Sequence, residues 1–217
     1  MTRTPKKILL VEGKDELRVI PELIETNGVT WKINNNGTVV YIQEHGGKEN
    51  LVNSFEISAQ LKDAKLSALG IIIDADDDPL GSWQSIRNAS LKSIPDIPET
   101  LPEGGLIHTT PRGIKFGIWI MPDNKMRGML ETFLTYMIPT GNEDLWNFAQ
   151  EITQEAKSKG ATFKNVHSDK ANIYTWLAWQ DPPGRQLHNA IMERILNPQH
   201  PNAQKFVTWF KTLYDLT

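Results

Sequence analysis

The chain has no cysteine, no long apolar run and little net charge, and each of these absences narrows the class of protein. A chain without cysteine makes no disulfide and no thiolate zinc site, which suits the reducing cytoplasm. The formal net charge of −3 gives no global basic field, so contact with nucleic acid would need a local basic patch or a bound metal ion. The first apolar run, residues 8–11, is too short for a signal-peptide core or a membrane span, and we therefore expect a cytoplasmic protein without membrane association.

The length and composition are those of a folded domain. The 217 residues are enough for one domain, or for one domain with an appendage, around a sizeable hydrophobic core. Hydrophobic residues make up 39% of the chain and charged residues 23%, which is ordinary globular usage. This composition predicts an ordered fold over most of the length.

Short apolar runs alternate with segments of helical periodicity in the first part of the chain. The strands are predicted at residues 8–11, 39–42, 69–73, 106–110 and 116–121. The helices between them are predicted at residues 15–25, 50–61 and 82–91. Pro21 is expected to weaken or kink the first helix, residues 34–37 to form a turn, and residues 94–105 to form a surface loop. The alternation is typical of an α/β fold in which a doubly wound, mainly parallel sheet is covered on both faces.

After Gly128 the pattern changes to helices alone. They are predicted at residues 129–137, 143–158, 169–179, 185–196 and 203–214. We expect an α/β core over residues 1–125 and a helical extension over residues 126–217 that packs on this core. Four tryptophans of the extension are predicted to be core or interface residues by their helical spacing, and they are Trp146, Trp176, Trp179 and Trp209.

Acidic residues follow two of the predicted strands. Glu12 comes directly after the first strand, and Asp74 and Asp76 follow the third. Because ligands gather at the carboxyl ends of parallel strands, and consecutive elements lie close in space, we expect these side chains to converge at one sheet edge. Carboxylates held together must protonate or bind a cation, and Mg²⁺ accepts carboxylate, water and phosphate oxygens. The alternative is that residues 74–78 form a solvated acidic turn before Pro79.

Two segments resemble the motifs of the Toprim superfamily. Residues 9–16, LLVEGKDE, are similar to the first motif, in which an apolar strand is followed by Glu-Gly and then by an Asp. Residues 71–76, IIIDAD, are similar to the second motif, in which an apolar strand is followed by Asp-x-Asp. Toprim domains occur in topoisomerases, bacterial primases, OLD-family nucleases and the small nucleases that mature ribosomal RNA. Residues 74–85, 118–124 and 128–131 are similar to uncharacterised single-domain Toprim-related bacterial proteins.

The resemblance implies a Toprim-like fold and a role for each matched residue. Glu12 would act as general acid or base, and Asp74 and Asp76 would hold Mg²⁺, with Mn²⁺ as an alternative. Asp78 would be an additional ligand or would support the other ligands, and Gly13 would let the backbone approach the substrate closely. Topoisomerases and primases carry further domains for DNA gating or template binding. This chain is not long enough to supply them, so neither activity is expected of it alone.

Further candidates are single residues near the ends of predicted elements. Glu131 is either another metal ligand or an acidic residue that interacts with a helix dipole. Lys170, at a predicted helix start, is either a catalytic residue that neutralises the scissile phosphate or a solvated lysine. Arg112 is predicted to bind substrate on a phosphate track with Lys115 and Arg127.

The first motif and a glycine-rich turn supply the other predicted substrate contacts. Lys14 and Asp15 belong to the first motif, and Gly47 belongs to the Gly46-Gly47-Lys48 turn. This turn is similar to a phosphate-cradling loop but lacks the full Walker spacing. The alternative is that the turn only starts a helix.

Three functions are compatible with these residues. The leading hypothesis is a metal-dependent nuclease acting on DNA or RNA, and the motif pair motivates it. The second is a receiver-like phosphoacceptor domain, which the opening of the chain resembles but the single acid after the first strand does not favour. The third is a non-catalytic Toprim-like binding or regulatory module, with phage defence as one setting. The sequence leaves open whether the substrate is DNA, RNA or a small nucleotide, and whether the chain forms a homo-oligomer.

Overall fold

The structure, a computed structural model, describes residues 6–34 and 37–217. The strands are β1 (Lys6–Val11), β2 (Lys32–Asn34), β3 (Gly37–Thr38), β4 (Tyr41–Glu44), β5 (Leu66–Asp74), β6 (Leu106–Thr109) and β7 (Lys115–Met121). The helices are α1 (Lys14–Thr26), α2 (Lys48–Leu51), α3 (Ser54–Lys62), α4 (Pro79–Leu91), α5 (Leu130–Thr135), α6 (Glu143–Ser158), α7 (Ser168–Leu177), α8 (Leu187–Met192) and α9 (Pro201–Tyr214). The turn predicted at residues 34–37 lies partly outside the described residues.

Five strands form the central sheet in the order β4-β1-β5-β7-β6. Strand β1 runs parallel to β4 and β5, β5 runs parallel to β7, and the edge strand β6 runs antiparallel to β7. The register pairs Val11 with Glu44 and Asp74 with Met121, so the four parallel strands end at the same edge. The structure confirms an α/β fold with a mostly parallel sheet and a C-terminal group of helices.

Alternate side chains of the strands enter two hydrophobic cores, one on each face of the sheet. On one face, Ile8 and Leu10 meet side chains of α3 and α4. On the other face, Leu9 and Val11 share a core with α1 and with the helices α5 to α9. Strand β5 lies in the middle of the sheet and is apolar on both faces, which explains its continuous hydrophobic run.

The C-terminal helix α9 lies directly on the sheet. The indole N–H of Trp209 donates to the Leu106 carbonyl at 2.9 Å, and the Tyr214 hydroxyl donates to the Ile8 carbonyl at 2.7 Å. Both hydrogen bonds are buried. The polar groups at the apolar interface between α9 and the sheet therefore have hydrogen-bond partners. The helices that follow residue 126 thus form one layer of the fold.

Several element boundaries differ from the predictions, as in β5, which begins at Leu66, α4, which begins at Pro79, and α8, which spans only Leu187–Met192. Strand β4 begins two residues later than predicted. The helix predicted at residues 50–61 is divided into α2 and α3, because the side chain of Asn53 accepts the Phe55 N–H and caps a new helix. Pro21 lies inside α1 and does not end it.

None of the helices in residues 6–34 and 37–217 is long and apolar enough to cross a membrane.

The predicted core tryptophans divide into buried and surface residues. Trp176 and Trp209 are buried, and Trp146 is partly buried against the same core. Trp179 is 40% exposed, and its ring lies against that of Phe148 with 5.5 Å between the centroids. Helical spacing therefore predicted which side of the C-terminal helices is buried, but it did not predict that Trp179 lies at the surface.

Gly70→Ala is predicted to destabilise the protein, because a methyl group there would overlap the Tyr214 hydroxyl and press on Leu9 and Leu213. We expect the free energy of unfolding to fall by about 1–3 kcal/mol, the usual cost of overpacking a core. Urea unfolding followed by tryptophan fluorescence measures this change. Gly104→Ala is the matched control, since no atom lies within 4 Å of its added Cβ. Equal stability of the two variants would contradict the close contact between α9 and the sheet.

Candidate functional site

The carboxyl edge of the sheet holds a cavity of about 510 Å³, which we call the acidic pocket. It lies between the ends of β1 and β5, the turn after β4, and the starts of α5 and α7. Its lining residues are Glu12, Gly13, Lys14, Asp15, Glu16, Gly46, Gly47, Asp74, Met129, Leu130, Glu131, His167 and Lys170. The two carboxylate-bearing strand ends thus meet in one pocket, together with most of the predicted substrate-binding residues.

Glu12 joins the ends of two strands. It directly follows β1, and its Oε1 accepts a 2.8 Å hydrogen bond from the backbone N–H of Asp74. Burial raises the pKa of Glu12 to about 7, although this hydrogen bond and the Lys48 ammonium oppose the rise. Negative charge on Asp76 and Glu16 adds to it. This carboxyl group therefore changes its charge near neutral pH.

Asp74 lies among other carboxylates at the end of β5. Its Oδ1 accepts a 3.0 Å hydrogen bond from the N–H of Leu130, which docks the first turn of α5 on the strand end. Burial raises the pKa of Asp74 well above its ordinary value, and Glu12, Glu16 and Glu131 raise it further by repulsion. Such a group is stabilised either by a proton or by a cation.

Asp76 has a left-handed backbone, with a φ of 54°. Its N–H donates to the Gly128 carbonyl at 2.8 Å, and its own carbonyl accepts the Gly128 N–H at 2.7 Å. This pair of hydrogen bonds stabilises a backbone conformation that few residues other than glycine adopt, although Asp adopts it more readily than most. The Asp76 side chain remains 45% exposed and forms an ion pair with Lys48.

Lys48 belongs to the site, although the sequence predictions did not assign it a role. Its Nζ donates to the Asp74 carbonyl at 2.6 Å, to Asp76 Oδ2 at 2.8 Å and to Ser82 Oγ at 2.8 Å. The Gly46-Gly47-Lys48 turn does start a helix, α2, and it also directs the lysine toward the loop after β5. A Gly-Gly-Lys segment that begins two residues after the end of β4 was the signal that could have revealed this residue.

Glu131 and Lys170 form a partly buried ion pair on the far wall of the pocket. Lys170 Nζ lies 2.7 Å from Glu131 Oε1 and 3.2 Å from Asp15 Oδ2. Burial lowers the pKa of Lys170, but hydrogen bonds and attraction to these two carboxylates raise it more, so the net shift is upward. The Glu131 side chain is only 6% exposed, so it is more than a surface partner of the helix dipole. The C-terminal helices thus contribute directly to the pocket.

A second cavity of about 520 Å³ adjoins the acidic pocket, and the two share Met129. Asp76, Arg127 and Tyr136 line it. Burial and the nearby Asp123 carboxylate raise the pKa of Tyr136 to about 12, so its hydroxyl stays protonated. Asp76 lines this second cavity and not the acidic pocket, whereas Asp74 lines the acidic pocket, so the loop after β5 separates two of the predicted ligands between adjoining cavities.

Asp78 has a structural contact that the prediction did not include. It precedes α4, and its Oδ1 accepts the Gly81 N–H at 2.9 Å as the N-cap of that helix. The residue is exposed and does not line the acidic pocket. Short acidic side chains are favoured at this position because they satisfy free N–H groups of the first turn.

Arg112 lies at the opposite edge of the sheet, so its predicted place in this site is wrong. It precedes β7, and its guanidinium donates to the Leu61 carbonyl at 2.6 Å. Only the Met121 end of β7 reaches the site, and the length of this strand places Arg112 about 20 Å away. Lys115 lies at the same distant end and pairs with Asp215. Arg112 lies in the short connection between β6 and β7, next to the start of β7. The site lies at the other end of β7, and this is why the prediction was wrong.

The donor set suits a hard divalent cation bound in part by water. In residues 6–34 and 37–217, no group of three or more Asp, Glu or His side chains forms a ready-made cage for an ion. Mg²⁺ commonly takes only one or two carboxylates and fills its other positions with water and substrate phosphate oxygens. Glu12, Asp74 and Asp76 offer oxygen ligands of this kind. Burial is the main cause of the raised pKa values of Glu12 and Asp74, and neighbouring carboxylates add to it, so a bound cation would stabilise their charged forms.

Fold and site together define an α/β protein with an acidic pocket at the carboxyl edge of a mostly parallel sheet. The chain belongs to the family described as "Protein of unknown function (DUF3226)", whose model matches residues 6–215. No curated protein matches the chain.

The chain also aligns with solved structures of the C-terminal region of the Xanthomonas campestris pv. campestris OLD protein. The structure phased with mercury shows 15% identity and a TM-score of 0.40, over 94% of this chain and 85% of that chain. The structure phased with iodine shows 14% identity and a TM-score of 0.37 over the same shares. These scores are too low to transfer a site, so roles can be assigned only from this chain's own residues.

In the metal-free protein, the free energy of unfolding is predicted to decrease as pH rises from 4.5 to about 7, the ordinary and folded-state pKa values of Glu12. In this window the folded state binds more protons than the unfolded chain, and stability then falls with pH. Glu12→Gln removes the free-energy cost of burying a charged carboxylate, and its amide oxygen can still accept the hydrogen bond from the Asp74 N–H. At pH 8 with EDTA, we expect the variant to be about 1–3 kcal/mol more stable than the wild type.

Chemical unfolding at pH 5 and at pH 8 measures this difference. Glu151→Gln is the control, because that carboxylate is exposed on α6. Wild type and Glu12→Gln with the same pH dependence would show that burial does not disfavour the Glu12 charge.

Proposed function

We propose that this chain is a divalent-cation-dependent phosphodiesterase acting on nucleic acid, most simply a nuclease, with the acidic pocket as its active site. The observation that supports this most strongly is the meeting of Glu12 with Asp74 at adjacent strand ends, where the Glu12–Asp74 hydrogen bond links them and Asp76 follows two residues later. Such carboxylates beside lysines suit a reaction at a phosphate group, where cations neutralise developing negative charge.

Asp74 and Asp76 are the residues that would hold the cation, Mg²⁺ or Mn²⁺. When bound, the ion would polarise the phosphate and favour ionisation of a bound water. The chain itself has a net charge of −3, so a bound cation would also allow a polyanion to approach this acidic edge.

Glu12 is the candidate for general acid–base catalysis. Its Oε1 is fixed by the Asp74 N–H, so the orientation of the carboxyl group does not depend on the substrate. A proton-transfer group must lie within hydrogen-bond reach of the reacting atoms, and Glu12 lines the same pocket as the proposed ligand Asp74.

Lys170 is the candidate for neutralising the scissile phosphate. The Glu131 and Asp15 carboxylates hold its ammonium on the pocket wall. Lys14 lines the same pocket and adds positive charge, while Gly13 and Gly47 leave space for close approach of the substrate. The adjoining cavity extends the surface beyond a single phosphate group, which favours a polymer over a small nucleotide.

Glu12→Gln and Asp76→Asn are predicted to slow metal-dependent cleavage strongly while the fold is retained. A general acid or base contributes about 10²–10⁴-fold to a rate, so Glu12→Gln should lose at least about 10²-fold. The assay follows fluorescent single- and double-stranded DNA and RNA with Mg²⁺ or Mn²⁺, and with EDTA as the blank. Glu151→Gln should cleave as the wild type does.

Cleavage by Glu12→Gln at the wild-type rate would remove Glu12 from the mechanism. A wild-type protein that binds the cation but cleaves none of these substrates would indicate a non-catalytic binding module instead.

Lys170→Met is predicted to slow cleavage by about 10²–10³-fold, the usual cost of removing one group that stabilises a transition state. We expect the effect in kcat, with binding of the metal ion unchanged, since Lys170 contacts Glu131 and Asp15 but neither Asp74 nor Asp76. Steady-state kinetics and Mn²⁺ binding separate the two effects. Lys92→Met, at an exposed lysine at the end of α4, controls for the lost charge. A change in KM alone would assign Lys170 to substrate binding.

A further inference from the structure

The Lys48 ammonium occupies a position that is built from oxygen ligands. All three of its acceptors are oxygens: the backbone carbonyl of Asp74, the carboxylate of Asp76 and the hydroxyl of Ser82, at 2.6, 2.8 and 2.8 Å. A lysine ammonium has three N–H donors, so its hydrogen-bonding capacity is used in full. Carboxylate, carbonyl and hydroxyl oxygens are also the ligands that hard cations take in proteins.

The turn that carries Lys48 is fixed to the end of β1. The His45 N–H donates to the Val11 carbonyl at 3.0 Å, and the Gly47 N–H donates to the Glu12 carbonyl at 2.9 Å. Gly47 has a φ of 125°, which a side chain would strain, so this geometry favours glycine. Because the turn is fixed next to Glu12, the lysine reaches the loop after β5 from a defined direction.

The ammonium and a metal ion would share one carboxylate. In two-metal phosphodiester sites the ions lie about 3.5–4 Å apart and are bridged by common ligands. Lys48 binds one oxygen of Asp76, and the other oxygen of that carboxylate has no protein partner among the described hydrogen bonds. Lysine is a compact point charge and can take the place of a cation at such a ligand set.

We propose that one divalent cation binds per chain where the acidic pocket meets the second cavity, between Asp74 and Asp76, and that the Lys48 ammonium takes the place of a second. Lys48 is then a positioning residue, because it acts through Asp76 and lines neither of the two cavities. It holds one Asp76 oxygen and leaves the other for the ion. This inference rests on the proposed function for the presence of the first cation.

Counting bound Mn²⁺ tests the inference without a nuclease assay. The electron paramagnetic resonance signal of free Mn²⁺ gives the number of ions bound at saturation, with thymidine 5′-monophosphate present to supply phosphate oxygens. We expect one ion per chain in the wild type, in Lys92→Met and in Lys48→Arg, which keeps the charge. We expect two ions in Lys48→Met, because the three oxygens around the ammonium become free for a second cation.

Two ions in the wild type would overturn the inference, as would one ion or none in a folded Lys48→Met variant. Circular dichroism and the unfolding midpoint report whether that variant folds, and Lys48→Gln is the substitute if it does not, with two ions again expected. No ion in any variant, with or without the nucleotide, would overturn the proposed function itself and this inference with it.

Discussion

The hydrogen bond from the Asp74 backbone to the Glu12 carboxylate fixes the geometry on which the whole site depends. It joins the ends of two parallel strands. It also holds the Glu12 carboxylate near Asp76 and Glu16, whose negative charges repel it. Because burial and this repulsion disfavour charge on Glu12 and Asp74, the surroundings must supply compensation. The neighbouring groups supply part of it, namely the Lys48 ammonium and the Leu130 N–H.

The C-terminal helices complete the site as well as the core. Helix α5 brings Glu131 and the N–H that binds Asp74, and α7 brings Lys170. These helices share one hydrophobic core with β1 and α1, so packing of the apolar face and assembly of the polar pocket are coupled. A substitution that loosened α5 would therefore expose the core and also remove a hydrogen-bond donor from Asp74.

The carboxylates of the site were predictable from the sequence because their positions follow from local rules. Glu12 and Asp74 each follow an apolar run, and parallel strands place their carboxyl ends at one edge. The pairing of Glu131 with Lys170 could not be predicted, since it depends on how α5 and α7 dock on each other. The general form of the sheet was also accessible from the alternation of strand and helix.

The residues that the sequence predictions missed or misplaced also have physical explanations. Lys48 was missed because its long side chain acts on a loop that is distant in sequence. The Gly-Gly-Lys segment after β4 marked a turn, but it did not show that the lysine reaches the loop after β5. Arg112 was misplaced because proximity to a strand does not say which end of the strand a residue joins. Asp78 belongs to the same acidic run as Asp76, but its side chain caps the N-terminus of α4. The sequence alone does not show which residue of such a run is a metal ligand and which is a helix cap.

The most direct test of this account is a calorimetric titration of Mn²⁺ into the wild type and into the Asp74→Asn/Asp76→Asn double variant, each with thymidine 5′-monophosphate present. Saturable binding is expected in the wild type, and none is expected in a double variant that remains folded. Equal binding in both proteins would place the cation elsewhere, and no binding in either would contradict the assignment of the acidic pocket as a metal site.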